Sequence, residues 1–280
     1  MFQYAALRAI ELRTNYTCKL DISSFKKYSL HQGFELDKIF SMPISFASKS
    51  DLRSILGWQA NSNIRNKLLN PSLKFLRSNN FILESDKNFL AGTFQPMDGS
   101  YLSGYWQSEK YFQDFRSLIR KDFSFSSELC GLNLDVASKI NSTNSISLHI
   151  RRGDYVANQR SFAIHGVCSL EYYHSAMERI QEKVDFPTYF IFSDDLEWAR
   201  ENLKTKFPSV YVEHNKESQS YNDMRLMSLC KHHIIANSSF SWWGAWLNPS
   251  GVKIVISPKR WYADKSRTID NLIPKSWVQI

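Results

Sequence analysis

The apolar positions of the chain change their period near its middle. In MFQYAALRAIEL (1–12) they recur at the three- and four-residue spacing of a helix. TCKLDIS (17–23) predicts a short strand. Residues 31–80 break into short amphipathic pieces, including LDKIF and SDLRSILGW, with turns signalled at Pro43 and Pro71. FILES (81–85) and YLSGYW (101–106) predict two more strands, and Ser108 is placed to cap a helix running to about Asp122. From residue 145 onward apolar runs alternate with helical ones. Strands are predicted at 145–150, 188–193, 210–213, 233–237 and 253–257. Between them, Ser169 caps a helix with Tyr173, Ala176, Met177, Ile180 and Val184 on one face, and further helices cover 195–203, 219–230 and 241–247. Apolar strands alternating with helices predict a doubly wound α/β domain with a parallel sheet. Such sheets bind ligands beyond the carboxyl ends of their strands. The polar stretch NSTNS (141–145) sets the expected boundary, with a helix-rich domain over 1–140 and the doubly wound domain over 141–280.

Composition narrows the classes. A chain of 280 residues suits two domains, and 43% hydrophobic with 22% charged residues reads as globular. The net charge of +8 suits a phosphate-bearing ligand or an anionic surface. No block of like charges and no nucleic-acid-binding motif occurs, which argues against nucleic acid as partner. Cys18, Cys130, Cys168 and Cys230 are scattered without a CxxC, so neither a zinc site nor a disulfide scaffold is expected, and reduced thiols fit a cytosolic protein. No apolar run is long enough to span a bilayer and no secretory signal is present.

The chemistry gathers where three predicted strands end. SISLHI is followed by Arg151, Arg152, Gly153 and Asp154; TYFIFS by Asp194 and Asp195; HIIAN by Ser238, Ser239 and Ser241. In a parallel sheet these loops share one edge. Adjacent guanidiniums match phosphate oxygens with forked donors. Hydroxyl residues at a helix start hold phosphate as well. A strand-end carboxylate accepts from a guanine edge or from ribose hydroxyls. Together they describe a nucleoside-diphosphate pocket that needs no metal. Each element also has an ordinary structural use, as a salt bridge, an N-cap pair or a helix-capping turn. The RGD within 152–154 abuts a predicted core strand and does not read as an adhesion ligand. His232 and His233 lack partner ligands at metal spacing and suit packing or a hydrogen bond. Of Trp242, Trp243 and Trp246, at least two are expected in the core, with one available to line a sugar cleft. His165, in AIHGVC, is available for the acceptor side or is an exposed loop residue.

HIRRGDY (149–155), FSDD (192–195) and LMSLCKHHIIANSSFSWWGAWLN (226–248) resemble the bacterial α-1,2-fucosyltransferases, glycosyltransferase family 11. MFQYA, LSGYWQSEKYF, GVCSLEYY, SPKRWY and LIPKSW extend the resemblance over nearly the whole chain. It implies a GT-B-like fold of two Rossmann-like domains facing a cleft, with GDP-β-L-fucose held mainly by the second. It implies inverting, metal-independent transfer of fucose to the 2-hydroxyl of a galactoside, with no cofactor. By the same resemblance Arg151 and Arg152 bind the diphosphate with His149 beside them. Asp194 contacts guanine, and Ser238, Ser239 and Ser241 reach phosphate. Arg152 is expected to be catalytic. Asp154 is the nearest carboxylate for a general base, though bracing an arginine is its more ordinary use; Gln159 cannot serve, and the base stays unassigned. The implied setting is the bacterial cytoplasm, building a surface polysaccharide on a lipid-linked acceptor, with peripheral contact at the inner membrane. The family carries a glycine-rich turn, GLGNQ, before MFQYA, whereas this sequence starts at Met1 inside that motif. Two explanations stay open, a true start upstream or a real truncation; in the second case the expectation is a first sheet one strand short, and the alternative to an active enzyme is an impaired nucleotide- or glycan-binding remnant.

Overall fold

The computed structural model describes residues 1–25, 33–84, 96–264 and 271–280, apart from the side chain of Asp154. The chain forms two compact units, Met1–Ser126 and Ser127–Ile280. The division falls at 126/127 and not at 140/141. The helix that precedes NSTNS packs Val136, Ala137 and Ile140 against Phe190, Phe192 and Leu226 of the second unit, so the polar stretch is a turn within that unit.

The first unit opens with α1 (Phe2–Thr14), which buries Phe2, Tyr4, Ala5, Ala9 and Ile10. Short helices α2 (Leu36–Ile39), α3 (Lys49–Leu56) and α4 (Ser62–Leu68) follow. α3 begins at a capping box formed by Ser48 and Asp51. Two strands, β1 (Phe81–Leu83) and β2 (Tyr101–Ser103), pair in parallel; of FILES, residue 85 lies outside the described residues. TCKLDIS forms only an isolated bridge, Leu20 to Phe46. The helix expected from Ser108 to Asp122 is interrupted. Ser108 caps a 3₁₀ turn (Glu109–Tyr111), a second turn follows (Gln113–Phe115), and only α5 (Arg116–Asp122) is α-helical. Phe112, with φ −137° and ψ 10°, breaks the helix because its fully buried ring is drawn into the core.

The second unit holds α6 (Gly131–Ser142) and a six-stranded sheet. Its strands are β3 (Asn144–Ile150), β4 (Pro187–Ser193), β5 (Ser209–Val212), β6 (His232–Ile234), β7 (Val255–Ser257) and β8 (Val278–Gln279). The order is β5-β4-β3-β6-β7-β8, and every pairing is parallel. The connecting helices are α7 (Gly153–Ala157), α8 (Gln159–His165), α9 (Leu170–Gln181), α10 (Leu196–Asn202), α11 (Tyr221–Leu229) and α12 (Ser239–Leu247). One face of β3 sends Ile146, Leu148 and Ile150 into an apolar core with Tyr173, Met177 and Ile180 of α9. The opposite face carries Ser145, Ser147 and His149, all buried. Two of these polar groups are satisfied within the sheet layer. Ser145 Oγ accepts from the Lys231 N–H at 3.1 Å. Asn248 Nδ2 donates to His233 Nε2 at 2.9 Å, so His233 Nδ1 carries the proton and donates to Ser147 Oγ at 2.8 Å. His233 is a packed, hydrogen-bonded histidine.

Candidate active site

The three loaded loops leave the sheet at one edge because β3 and β4 stay in register to their last residues, Ile150 opposite Ser193. Arg151 and Arg152 therefore emerge beside Asp194 and Asp195. The pairing of Leu148 with Ile234, and of Ile234 with Ile256, brings Ser238 and Ser257 to the same edge.

Asp194 organises the centre. One carboxylate oxygen accepts from the Arg152 backbone N–H at 2.8 Å, and the other lies 3.2 Å from Arg151 Nη1. Gly153 suits this approach: a Cβ there would stand 3.0 Å from Asp194 Oδ2 and 3.1 Å from its Cγ, so the carboxylate would have to give by a few tenths of an ångström. This explains the glycine of HIRRGDY without any strained dihedral. Asp195 caps α10 by accepting from the Trp198 N–H at 3.2 Å, and its second oxygen sits 3.5 Å from Arg152 Nε. That approach is an ion pair beyond hydrogen-bonding geometry, and Arg152 Nε has no hydrogen-bond partner. The Arg152 guanidinium lies over the Trp198 ring, 4.0 Å from its centroid, a cation–π contact. Arg151 lies over Tyr155 at 5.4 Å, Tyr155 stacks on His165 at 4.8 Å, and His165 meets Tyr262 at 5.7 Å. His165 thus closes an aromatic layer and is not a free loop residue.

His149 is buried beside Phe240, and its Nδ1 has no hydrogen-bond partner. Burial, and secondarily the charge of Arg151, push its pKa down to about 3, with Asp194 acting in the opposite sense. The ring is therefore neutral near pH 7 and presents an unmet nitrogen. Ser257, at the end of β7, is fully buried with an unpartnered hydroxyl. Ser238 Oγ accepts from the Phe240 N–H at 3.3 Å, Ser239 is exposed, and Ser241 is buried with its hydroxyl donating to the Ser238 carbonyl at 3.2 Å. Asp154 lies in the backbone of α7, but its side chain lies outside the described residues.

Two contributors escaped the sequence. Trp198 had no signal beyond its place in the helix after FSDD. Asn237, read only as the end of a strand, is 2% exposed and donates to the carbonyls of His165 at 3.0 Å and Trp261 at 3.1 Å. It ties two neighbouring loops to the end of β6. A buried amide at a strand end was the available sign. Trp242, Trp243 and Trp246 are all core, at 0%, 2% and 2% exposure, so none lines a cleft. Among the described residues no group of three or more His, Cys, Asp or Glu is arranged to hold a metal. The first unit contains a separate cavity of about 870 Å³, whose lining includes Asp21, Arg65, Glu84, Tyr101 and Trp106.

The model of the family described as Glycosyl transferase family 11 matches residues 58–280. The chain belongs to glycosyltransferase family 11. Curated relatives match all or part of it. An α-1,2-colitosyltransferase of Escherichia coli is 36% identical over 288 residues, covering 100% of this chain and 94% of that protein. The O-antigen biosynthesis glycosyltransferase WbnK of Escherichia coli is 39% identical, covering 66% of this chain and 62% of that protein. Galactoside α-(1,2)-fucosyltransferase 1 of Lagothrix lagotricha is 28% identical, covering 52% and 42%. Among solved structures, the fucosyltransferase NodZ from Bradyrhizobium superposes with a TM-score of 0.55 at 13% identity, covering 89% of this chain and 88% of that chain. The GT-B-like α/β fold expected from the sequence is the fold this family 11 chain has.

Proposed function

We propose that the chain transfers a 6-deoxyhexose from its GDP-activated form to the 2-hydroxyl of a galactoside, with inversion and without a metal ion. The observation that carries this reading is the set of unmet polar atoms at one sheet edge. His149 Nδ1, Arg152 Nε and Ser257 Oγ are buried without hydrogen-bond partners, and the Arg151 and Arg152 side chains are 28% and 20% exposed. A diphosphate supplies acceptors for this edge. Departure of GDP builds negative charge on the phosphates while the sugar becomes oxocarbenium-like. Preorganised guanidiniums stabilise that charge selectively in the transition state. Asp194 fixes the Arg151–Arg152 backbone and faces the place assigned to the nucleoside. Asp154, in the same turn, is the carboxylate assigned to the acceptor proton. The cavity of the first unit, with carboxylates beside Tyr101 and Trp106, has chemistry suited to a hexose, and the acceptor is assigned to this unit. The acceptor is a surface-polysaccharide intermediate carried on a lipid at the cytoplasmic face of the membrane.

The whole-length match to a colitosyltransferase favours a second donor reading. Colitose lacks the 3-hydroxyl of fucose, and a site built to hydrogen-bond that hydroxyl rejects the deoxy sugar strongly. The deciding experiment measures GDP release from GDP-fucose and GDP-colitose in EDTA, with lactose as trial acceptor. Sugar-dependent release in EDTA with a defined donor preference supports the proposal and names the donor. GDP binding with no transfer to any of a panel of galactosides identifies a binding remnant instead.

A further inference from the structure

The first unit carries a surface that the donor site does not use. From residue 52 to 83 no aspartate or glutamate occurs, while Arg53, Arg65, Lys67, Lys74 and Arg77 do. Arg65 is turned inward onto Asp21 at 2.9 Å, whereas Arg53, Lys67 and Lys74 are exposed. The inner sides of this segment form a small core of Leu56, Leu68 and Phe81, with Ile64 and Leu73 packed against it. The outer side mixes exposed asparagines and lysines with large apolar side chains. Trp58 is 60% exposed and Phe75 79%. Leu69 and Leu76 are exposed as well.

The arrangement is held by a buried clamp. Gln59, 3% exposed, donates to the Leu76 carbonyl at 3.1 Å and accepts from the Ser78 N–H at 3.2 Å. The turn bearing Trp58 is therefore fastened to the segment bearing Phe75, Leu76 and Arg77. Exposed Trp58 and Phe75, in one acid-free segment with exposed Lys67 and Lys74, form the side-chain set that suits an anionic lipid interface. The rings enter the headgroup boundary and the lysines meet its charge. Among the described residues no helix is long and apolar enough to cross a membrane, so this contact is peripheral.

We propose that the face formed by residues 57–77 docks the chain on a bilayer containing anionic lipid. The inference deepens the reading of a lipid-borne acceptor, and it is testable without donor or acceptor. The full chain is sedimented with vesicles of pure phosphatidylcholine and with vesicles that include phosphatidylglycerol. The expected result is pelleting with the anionic vesicles alone at low salt. Trp58→Ala with Phe75→Ala lowers the bound fraction several-fold. Lys67→Ser with Lys74→Ser lowers partitioning about fivefold per lysine, the equivalent of about 1 kcal/mol each. Unchanged circular dichroism and GDP binding show that the variants are folded. The proposal is overturned by no pelleting with either vesicle, or by variants that pellet like the parent. It is equally overturned if the double aromatic variant only dissolves a dimer, or if the lysine variant only loses binding to a DNA duplex. Transferase failure with intact vesicle binding would reject the catalytic reading and leave the docking face standing.

Discussion

At Arg152 a guanidinium lies over the Trp198 ring and short of a hydrogen bond to Asp195, so its Nε–H is left without a hydrogen-bond partner. Arg152→Ala is expected to lower turnover roughly 10²-fold or more, the loss typical of a removed charge-stabilising donor. Arg152→Lys is expected to recover little, because an ammonium has neither the fork nor the planar stack. Steady-state GDP release from folded protein checks both, and near-normal turnover of the alanine variant would reject the role. Gly153→Ala tests a neighbouring contact. Its methyl group would press on the Asp194 carboxylate, and overpacking of this kind costs about 1–3 kcal/mol. The expected outcome is weaker GDP binding by calorimetry, since Asp194 can move only by releasing Arg151 or the Arg152 N–H. The tight approach at 153 was not legible in the sequence, which does not reveal that Asp194, 41 positions on, lies against it.

At the scale of elements, β3 shows how polar residues occupy a central strand. Ser147 and His233 satisfy each other between strands, while His149 waits at the strand end. Burial depresses both histidines, His149 to about 3 and His233 well below its ordinary value. The unfolded chain takes up protons on them below about pH 6.5 and the native state does not, so they favour unfolding as pH falls. Asp223, raised by burial to about 7, acts in the opposite sense over roughly pH 7 to 4. The informative measurement is therefore a difference in urea stability between parent and His149→Gln. From pH 7.5 to 5 the parent should lose about 2 kcal/mol more than the variant; parallel curves would show that His149 titrates normally. The strands of the second unit were legible because their apolar runs are bounded by turn residues. Ser169 was legible as a cap, and it accepts from the Tyr172 N–H at 3.2 Å. β8 was not, since Val278 and Gln279 are strand only through pairing with residues more than twenty positions earlier. α8 was missed because its cap, Asn158, accepting from Arg160 and Ser161, sits in a stretch with no apolar period.

For the whole molecule, +8 net charge meets an anionic donor. Long-range attraction of this kind is screened over about 10 Å at 0.1 M salt. Raising ionic strength is expected to increase the KM for the sugar nucleotide several-fold with little change in kcat, and an invariant KM would confine the charge effect to solubility. The motifs made the family legible. The two-unit boundary was not, because composition cannot tell a polar linker from a polar turn between a helix and the strand it packs on. One consequence of the buried indoles lies in optics. Trp242 stacks on Trp246 at 6.2 Å and 10°, with Trp243 and Trp277 at 5.0 and 5.4 Å from Trp242. Four chromophores this close share excitation, so their near-ultraviolet dichroism belongs to the cluster and not to any one ring. The helix bearing three of them starts at Ser239, on the proposed donor edge. The protein thus carries a built-in, label-free reporter of the folding of that edge.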